Sequence, residues 1–149
     1  MPGFPEPIVG LVISYSYVWR VEAEHGRTEG RKDRPCAIVL AFDSPAATEE
    51  TKNKQVAVVP VTHSPPSDPN IAIEIPPAIK RHLGLDHERS WVILNEINVF
   101  TWPGYDLRPI RDKEGCIDYG VLPPKFFDFL IRKYAELDAA GQVARSSRD

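Results

Sequence analysis

Arg34-Pro35-Cys36-Ala37-Ile38-Val39-Leu40-Ala41-Phe42 and Gln55-Val56-Ala57-Val58-Val59-Pro60-Val61-Thr62-His63-Ser64 decide how this chain folds. Both runs are apolar and rich in β-branched residues, the composition of strands buried on a pleated surface. The stretch between them, Asp43 to Lys54, carries the Ser, Pro, Thr and Asn residues of a turn. The pair therefore reads as two antiparallel strands, with the start of the first beside the end of the second. If Phe42 opposes Gln55, Arg34 opposes His63 and neighbours Thr62. Opposed residues in such a ladder lie roughly 4.5 to 5.5 Å apart at Cα, so a guanidinium, a hydroxyl and an imidazole would share one sheet edge.

Working outward, Ile8 to Val18 reads as a first strand and Glu22 to Asp33 as a polar loop with Gly26 and Gly30, long enough to cover a site. Ile71 to Ile75 alternates like a half-buried strand. Pro76-Pro77 opens a short helix through Leu83, and Gly84 suits its left-handed C-terminal position. Ser90 to Asn95 and Asn98 to Trp102 read as strands on either side of a break at Glu96, and Ile110 to Gly120 as a weak hairpin. Phe126, Phe127, Leu130, Ile131, Tyr134 and Leu137 recur at helical spacing after Pro123-Pro124, which makes the one long helix. The expected fold is mainly β (α+β): a small, curled antiparallel barrel with a short mid-chain helix and a C-terminal helix. Residues 1–140 are expected to form a single domain and 141–149 a flexible tail.

Composition narrows the function classes. The 15 prolines sit mostly at segment boundaries and favour short strands with rigid turns. A net charge of −3 does not advertise nucleic-acid binding, although Arg20 to Arg34 is locally rich in both signs of charge. No basic, apolar leader opens the chain and every apolar run is strand-length, so the reading is cytoplasmic and without a membrane span. Cys36 and Cys116 make no disulfide framework, and the absence of CxxC pairs argues against structural zinc.

The reactive candidates are Arg34, Thr62 and His63. A guanidinium grips a phosphate through parallel hydrogen bonds, a hydroxyl adds a donor, and histidine moves a proton near neutral pH. Each residue alone also has a plain reading, as a surface ion pair, a strand-end β-former and a loop histidine. Trp102, at a Pro-Gly turn, is expected to be partly exposed, either packed along an edge or able to stack a base. Asn95, Glu96 and Asn98 form a polar break with either a capping or a site role. His82 and His87 flank the short helix without a clear third metal ligand, and no GxSxG, P-loop, GxGxxG or HExxH motif occurs.

Arg34-Pro35 before an apolar strand, Val58-Val59-Pro60-Val61-Thr62, Ile73-Glu74-Ile75-Pro76, Leu83-Gly84-Leu85 and Ser90 to Glu96 together resemble the PemK/MazF family of toxins from toxin–antitoxin operons. The resemblance runs from about Gly10 to Tyr134. It implies an SH3-like barrel, a homodimer, neutralisation by an antitoxin, and metal-independent cleavage of single-stranded RNA with no cofactor. Arg34 matches the family's arginine before proline and Thr62 its threonine after the third strand. His63 has no such match, and its proton-transfer role rests on chemistry alone. Asn95-Glu96 stands where several relatives have an acidic residue followed by glutamine, and Asn98 where many have a basic one. Arg27 and Arg31, in the loop over the expected channel, are candidate phosphate contacts, joined by Asn95 and Trp102 for RNA binding. Two other readings compete: a non-catalytic module of the same fold that binds RNA or a peptide, and a metal-dependent hydrolase using His82 and His87.

Overall fold

The structure, a computed structural model, describes residues 4–26, 32–43, 53–111, 113 and 115–148. Along the chain run β1 (Leu11–Tyr15), α1 (Arg20–Glu24), β2 (Arg34–Asp43), β3 (Lys54–Thr62), a 3-10 turn (Pro69–Ile71), β4 (Ala72–Glu74), α2 (Pro77–Leu83), β5 (Trp91–Ile93), β6 (Glu96–Trp102), β7 (Asp118–Val121), α3 (Pro124–Ala139) and β8 (Ala144–Ser147). The mainly β, α+β architecture is the expected one. Among the described residues, eight strands form a curled, mostly antiparallel sheet in the order β4-β5-β3-β2-β1-β7, with β6 branching from β3 and β8 pairing β6 in parallel. The sheet is barrel-like but not closed.

The middle of the β2–β3 pair is apolar because both of its faces are buried there. Ala37, Val39, Ala57, Val59 and Val61 point into one core, shared with Leu130, Tyr134 and Leu137 of α3. Cys36, Ile38, Val56 and Val58 point into a second core, filled by Tyr15, Tyr17 and Phe100. Period-two alternation divides the side chains between the two. It slips once: Val39 and Leu40 both join the first core, whereas Ala41 returns to the second. There the ladder carries a bulge.

The bulge corrects the expected register. Phe42 does oppose Gln55, but beyond the irregularity Cys36 opposes Pro60. Carried two residues further, that register sets Arg34 level with Thr62 and not with His63.

Pro60 marks a second irregularity. On its other edge β3 pairs β6 as far as Val58↔Asn98, and β5 takes over from Val61↔Val92. Pro60 falls between the two partners, where its missing N–H interrupts neither ladder. The end of β3 thus leaves β6 and turns toward the short antiparallel β4–β5 pair. Gly84 closes α2 at φ 69°, the left-handed geometry expected of it.

Two expectations change. Part of the presumed loop Glu22 to Asp33 is helical, since α1 ends at Glu24, and Arg27 and Arg31 lie outside the described residues. The C-terminal segment is not a loose tail: β8 aligns Ala144 to Ser147 with Glu96 to Val99. Arg148 then turns inward, its side chain 5% exposed, donating 2.8 Å to the Ser16 carbonyl and pairing with Asp106 at 3.0 Å. Cutting an enclosed ion pair strands the remaining charge at a cost of ~3–5 kcal/mol. Asp106 keeps some solvent contact, so Arg148→Ala is expected to lower unfolding free energy by roughly 2 kcal/mol in urea titration. A change below about 0.5 kcal/mol would make β8 a passive edge.

Candidate active site

Arg34 opens β2, paired through β1 with Tyr15. Its guanidinium lies over the Trp19 ring, 4.9 Å from the centroid, an attractive cation–π geometry. Nη1 donates a long 3.5 Å bond to the Val61 carbonyl, and Nε is buried without a hydrogen-bond partner among the described residues. Burial lowers the guanidinium's pKa from its ordinary value, with Cys36, Glu22 and Tyr17 opposing the shift. The chain thus holds a cation with spare donors in a partly dry place, which is costly unless an anion completes it.

Around Arg34 opens a cleft of about 420 Å³ whose wall includes Trp19, Lys32, Thr62, Asn95 and Glu96. Thr62 reaches it from the end of β3, where its Oγ1 accepts from the Ser64 N–H at 3.2 Å and its own proton remains to donate. Glu96 stands at the start of β6. Its Oε1 accepts from the Tyr17 hydroxyl at 3.0 Å and from the Arg20 N–H at 2.9 Å, the second of these at the first turn of α1. Burial raises the Glu96 pKa above the ordinary glutamate value, and those two hydrogen bonds only partly offset it. Burial and the neighbouring Glu96 together push the Tyr17 phenol well up, so Tyr17 stays a donor.

The segment carrying Trp19 is held from beneath. Fully buried Asn98 accepts from the Val18 N–H at 3.0 Å and donates to the Val18 carbonyl at 2.9 Å. Arg148 reaches the same Asn98 oxygen at 3.3 Å. Of the two open roles for the polar break, Asn98 therefore has the structural one. Glu96 is the cleft residue that the sequence left undecided; its signal was an acidic side chain between two apolar strands.

His63 does not share this cleft. β3 ends at Thr62, and the chain bends at His63. His63 lines a separate, smaller hollow that shares Lys32 and Arg34 with the first. Its Nε2 lies 2.8 Å from Asp86 Oδ2 and its Nδ1 3.5 Å from Glu88 Oε2. Buried Lys80 completes the group, bonded to Asp86 at 2.6 Å, to the Ser90 hydroxyl at 2.8 Å and to the Glu88 carbonyl. Burial pushes the Asp86 carboxyl up, but the Lys80 hydrogen bond and the nearby His63 outweigh it and hold it below the ordinary aspartate value. His63, Asp86 and Glu88 have the mutual spacing of metal ligands, within 4.8 Å, yet the Lys80 ammonium already supplies a cation to that cluster. Neither His82 nor His87 belongs to it. Replacing His63 with alanine is expected to leave any activity of the Arg34 cleft within threefold, checked by initial rates; a hundredfold loss would restore it as the proton carrier.

Trp102 also lies elsewhere. It opposes Lys54 at the far end of β3 and is 7% exposed, packed with Phe100 in the second core. The exposed stacking surface expected at the Pro-Gly turn is therefore absent. Asn95 does line the Arg34 cleft.

Neither a protein-family model, nor a curated protein, nor a solved structure matches this chain. No helix among the described residues is long and apolar enough to cross a membrane.

Proposed function

We propose that the chain is a metal-independent endoribonuclease acting on single-stranded RNA. One observation carries the reading: the half-buried Arg34 guanidinium, its Nε without a hydrogen-bond partner among the described residues, faces a cleft that also holds Thr62 and a carboxylate of raised pKa. A phosphodiester satisfies both needs of this site, an anion for the arginine and a proton transfer for the carboxylate.

In this mechanism Glu96 takes the proton of the ribose 2′-OH as that oxygen attacks the adjacent phosphorus. The bond to the 5′-oxygen breaks, leaving a 2′,3′-cyclic phosphate and, once that oxygen takes a proton from solvent, a free 5′-OH. Charge grows on the non-bridging oxygens in the transition state. Arg34 stabilises it there, and the Thr62 hydroxyl donates alongside. The Tyr17 and Arg20 hydrogen bonds keep the Glu96 side chain in one rotamer, aimed at the cleft. Arg34, with its very high pKa, is the electrostatic partner and not the base.

The motif resemblance extends the proposal to a homodimeric toxin held in check by an antitoxin. The test is incubation of the purified chain with long single-stranded RNA and EDTA. Discrete fragments ending in cyclic phosphate are expected. RNA that is retarded on a gel but intact would make the protein a binding module, and activity lost to EDTA would make it a metal-dependent hydrolase.

A further inference from the structure

Residues 16–19, between β1 and α1, belong to neither strand nor helix, yet this stretch sets the surroundings of Glu96. Tyr17 donates its hydroxyl to Glu96 Oε1, and the Arg20 N–H that follows donates to the same oxygen. Ser16, Tyr17 and Val18 are buried, so their backbone polar groups need partners inside the protein. The Ser16 N–H donates to the Asp106 carbonyl at 2.8 Å, and Asn98 takes both backbone groups of Val18. Arg148 closes the arrangement from just beyond β8. One guanidinium nitrogen donates to the Ser16 carbonyl at 2.8 Å and to Asn98 Oδ1 at 3.3 Å. The other pairs with the Asp106 carboxylate at 3.0 Å, and the group lies 5.8 Å from the centre of the Tyr15 ring. A planar fork of this kind joins several acceptors in one fixed geometry. Its donation to Asn98 Oδ1 also keeps the amide the right way round, with its oxygen on the Val18 N–H and its nitrogen on the Val18 carbonyl.

From this network we infer that Arg148 is a positioning residue for Glu96: by locking residues 16–18 it keeps the Tyr17 hydroxyl and the Arg20 N–H on the carboxylate. Arg148 does not line the Arg34 cleft, and its influence travels through Ser16 and Asn98. For the rate of cleavage the inference rests on the nuclease reading above; for the geometry of Glu96 it does not. The two halves of the cleft are mounted differently. Arg34 opens β2 and is fixed by the β1–β2 ladder, and Thr62 is fixed by the pairing of β3 with β5. Glu96 starts β6, but its carboxylate is oriented by a segment outside the sheet. Loosening that segment therefore misplaces the base and leaves the phosphate clamp on its strands.

The test follows the Arg20 amide of nitrogen-15-labelled protein through an acid titration. A hydrogen bond to a carboxyl group strengthens when that group ionises, and the donor's proton shift moves with it. The part of the movement that is missing in Glu96→Gln belongs to Glu96, which separates it from the nearby Glu22, Glu24 and Asp106. Arg148→Lys keeps a positive charge for Asp106 but lacks the fork, and Arg148→Ala removes both. Each is expected to cut the Glu96-dependent movement at Arg20 to less than about half of its wild-type size. Leu130→Val, which loosens the α3 core instead, should leave it intact. In RNA cleavage both Arg148 variants should lose about 10–10²-fold in kcat, the loss that a misplacement of about 1 Å can cause, with KM held within about threefold. An unchanged Arg20 response in both Arg148 variants overturns the inference, and so does an equal loss of response in Leu130→Val. RNA cleavage with an unaltered kcat in both variants removes the positioning role and keeps the nuclease. A lost Arg20 response in a protein whose wild type cleaves no RNA keeps Arg148 as the residue that positions Glu96 and removes the nuclease alone.

Discussion

Replacing Arg34 with methionine is expected to cut RNA cleavage by about 10²–10³-fold, the usual loss when one preorganised donor is taken from a charge-stabilising site. The same change should leave the protein as stable as before. Loss of the stacking on Trp19 costs about 0.5–1 kcal/mol. Against it stands the removal of a buried Nε that has no partner among the described residues, and an unsatisfied buried donor costs about 1–3 kcal/mol. Methionine keeps the unbranched stem that packs along the strand. Activity and stability should therefore separate: initial rates fall while the thermal midpoint holds or rises. A variant that loses both together would recast Arg34 as a structural residue. Cleavage within threefold of wild type would remove it from the chemistry.

Glu96→Gln is the second large effect, a loss of roughly 10²–10⁴-fold for a removed general base. The glutamine oxygen still accepts from Tyr17 and from the Arg20 N–H, so the geometry of the cleft should persist. Two pH signatures accompany the loss. In the wild type the acid limb of kcat/KM should inflect above the ordinary glutamate value of 4.5, because burial raises this group. The folded-state pKa also lies above the unfolded one, so protonated Glu96 favours the fold. That contribution is complete below the ordinary value and is lost as pH rises through the raised one. Glutamine stays neutral throughout. Glu96→Gln is therefore expected to melt at or above wild type at pH 7, with the difference closing as the pH falls below 4.5. Parallel melting curves across that range would mean that Glu96 does not ionise in the cleft.

The sequence carried the strands because hydrophobic periodicity is local. The β2 and β3 runs, the Phe42–Gln55 alignment, the short helix closed by Gly84 and the apolar face of α3 can each be read from neighbouring residues. Other features depend on residues far apart in the chain. Tyr17 meets Glu96 across 79 positions, and Arg148 meets Ser16 across 132. No local pattern marks the C-terminal segment as β8, since its pairing with β6 is a parallel, long-range one.

Trp102 shows the same limit from the other side. A tryptophan at a Pro-Gly turn reads as exposed, but the turn lies where Phe100 and the second core cover it.

Arg34 and Thr62 could be selected from the sequence because each stands at the polar end of an apolar run. Their partner could not. An extended register count put His63 opposite Arg34, and one bulged residue near Val39 moved the pairing to Thr62. A shift of a single residue in a strand reverses the face that every later side chain presents. The sequence by itself therefore determined the strands and the cation at their edge. The tertiary structure decided that Glu96 joins Arg34, and that His63 lies with Asp86 and Lys80.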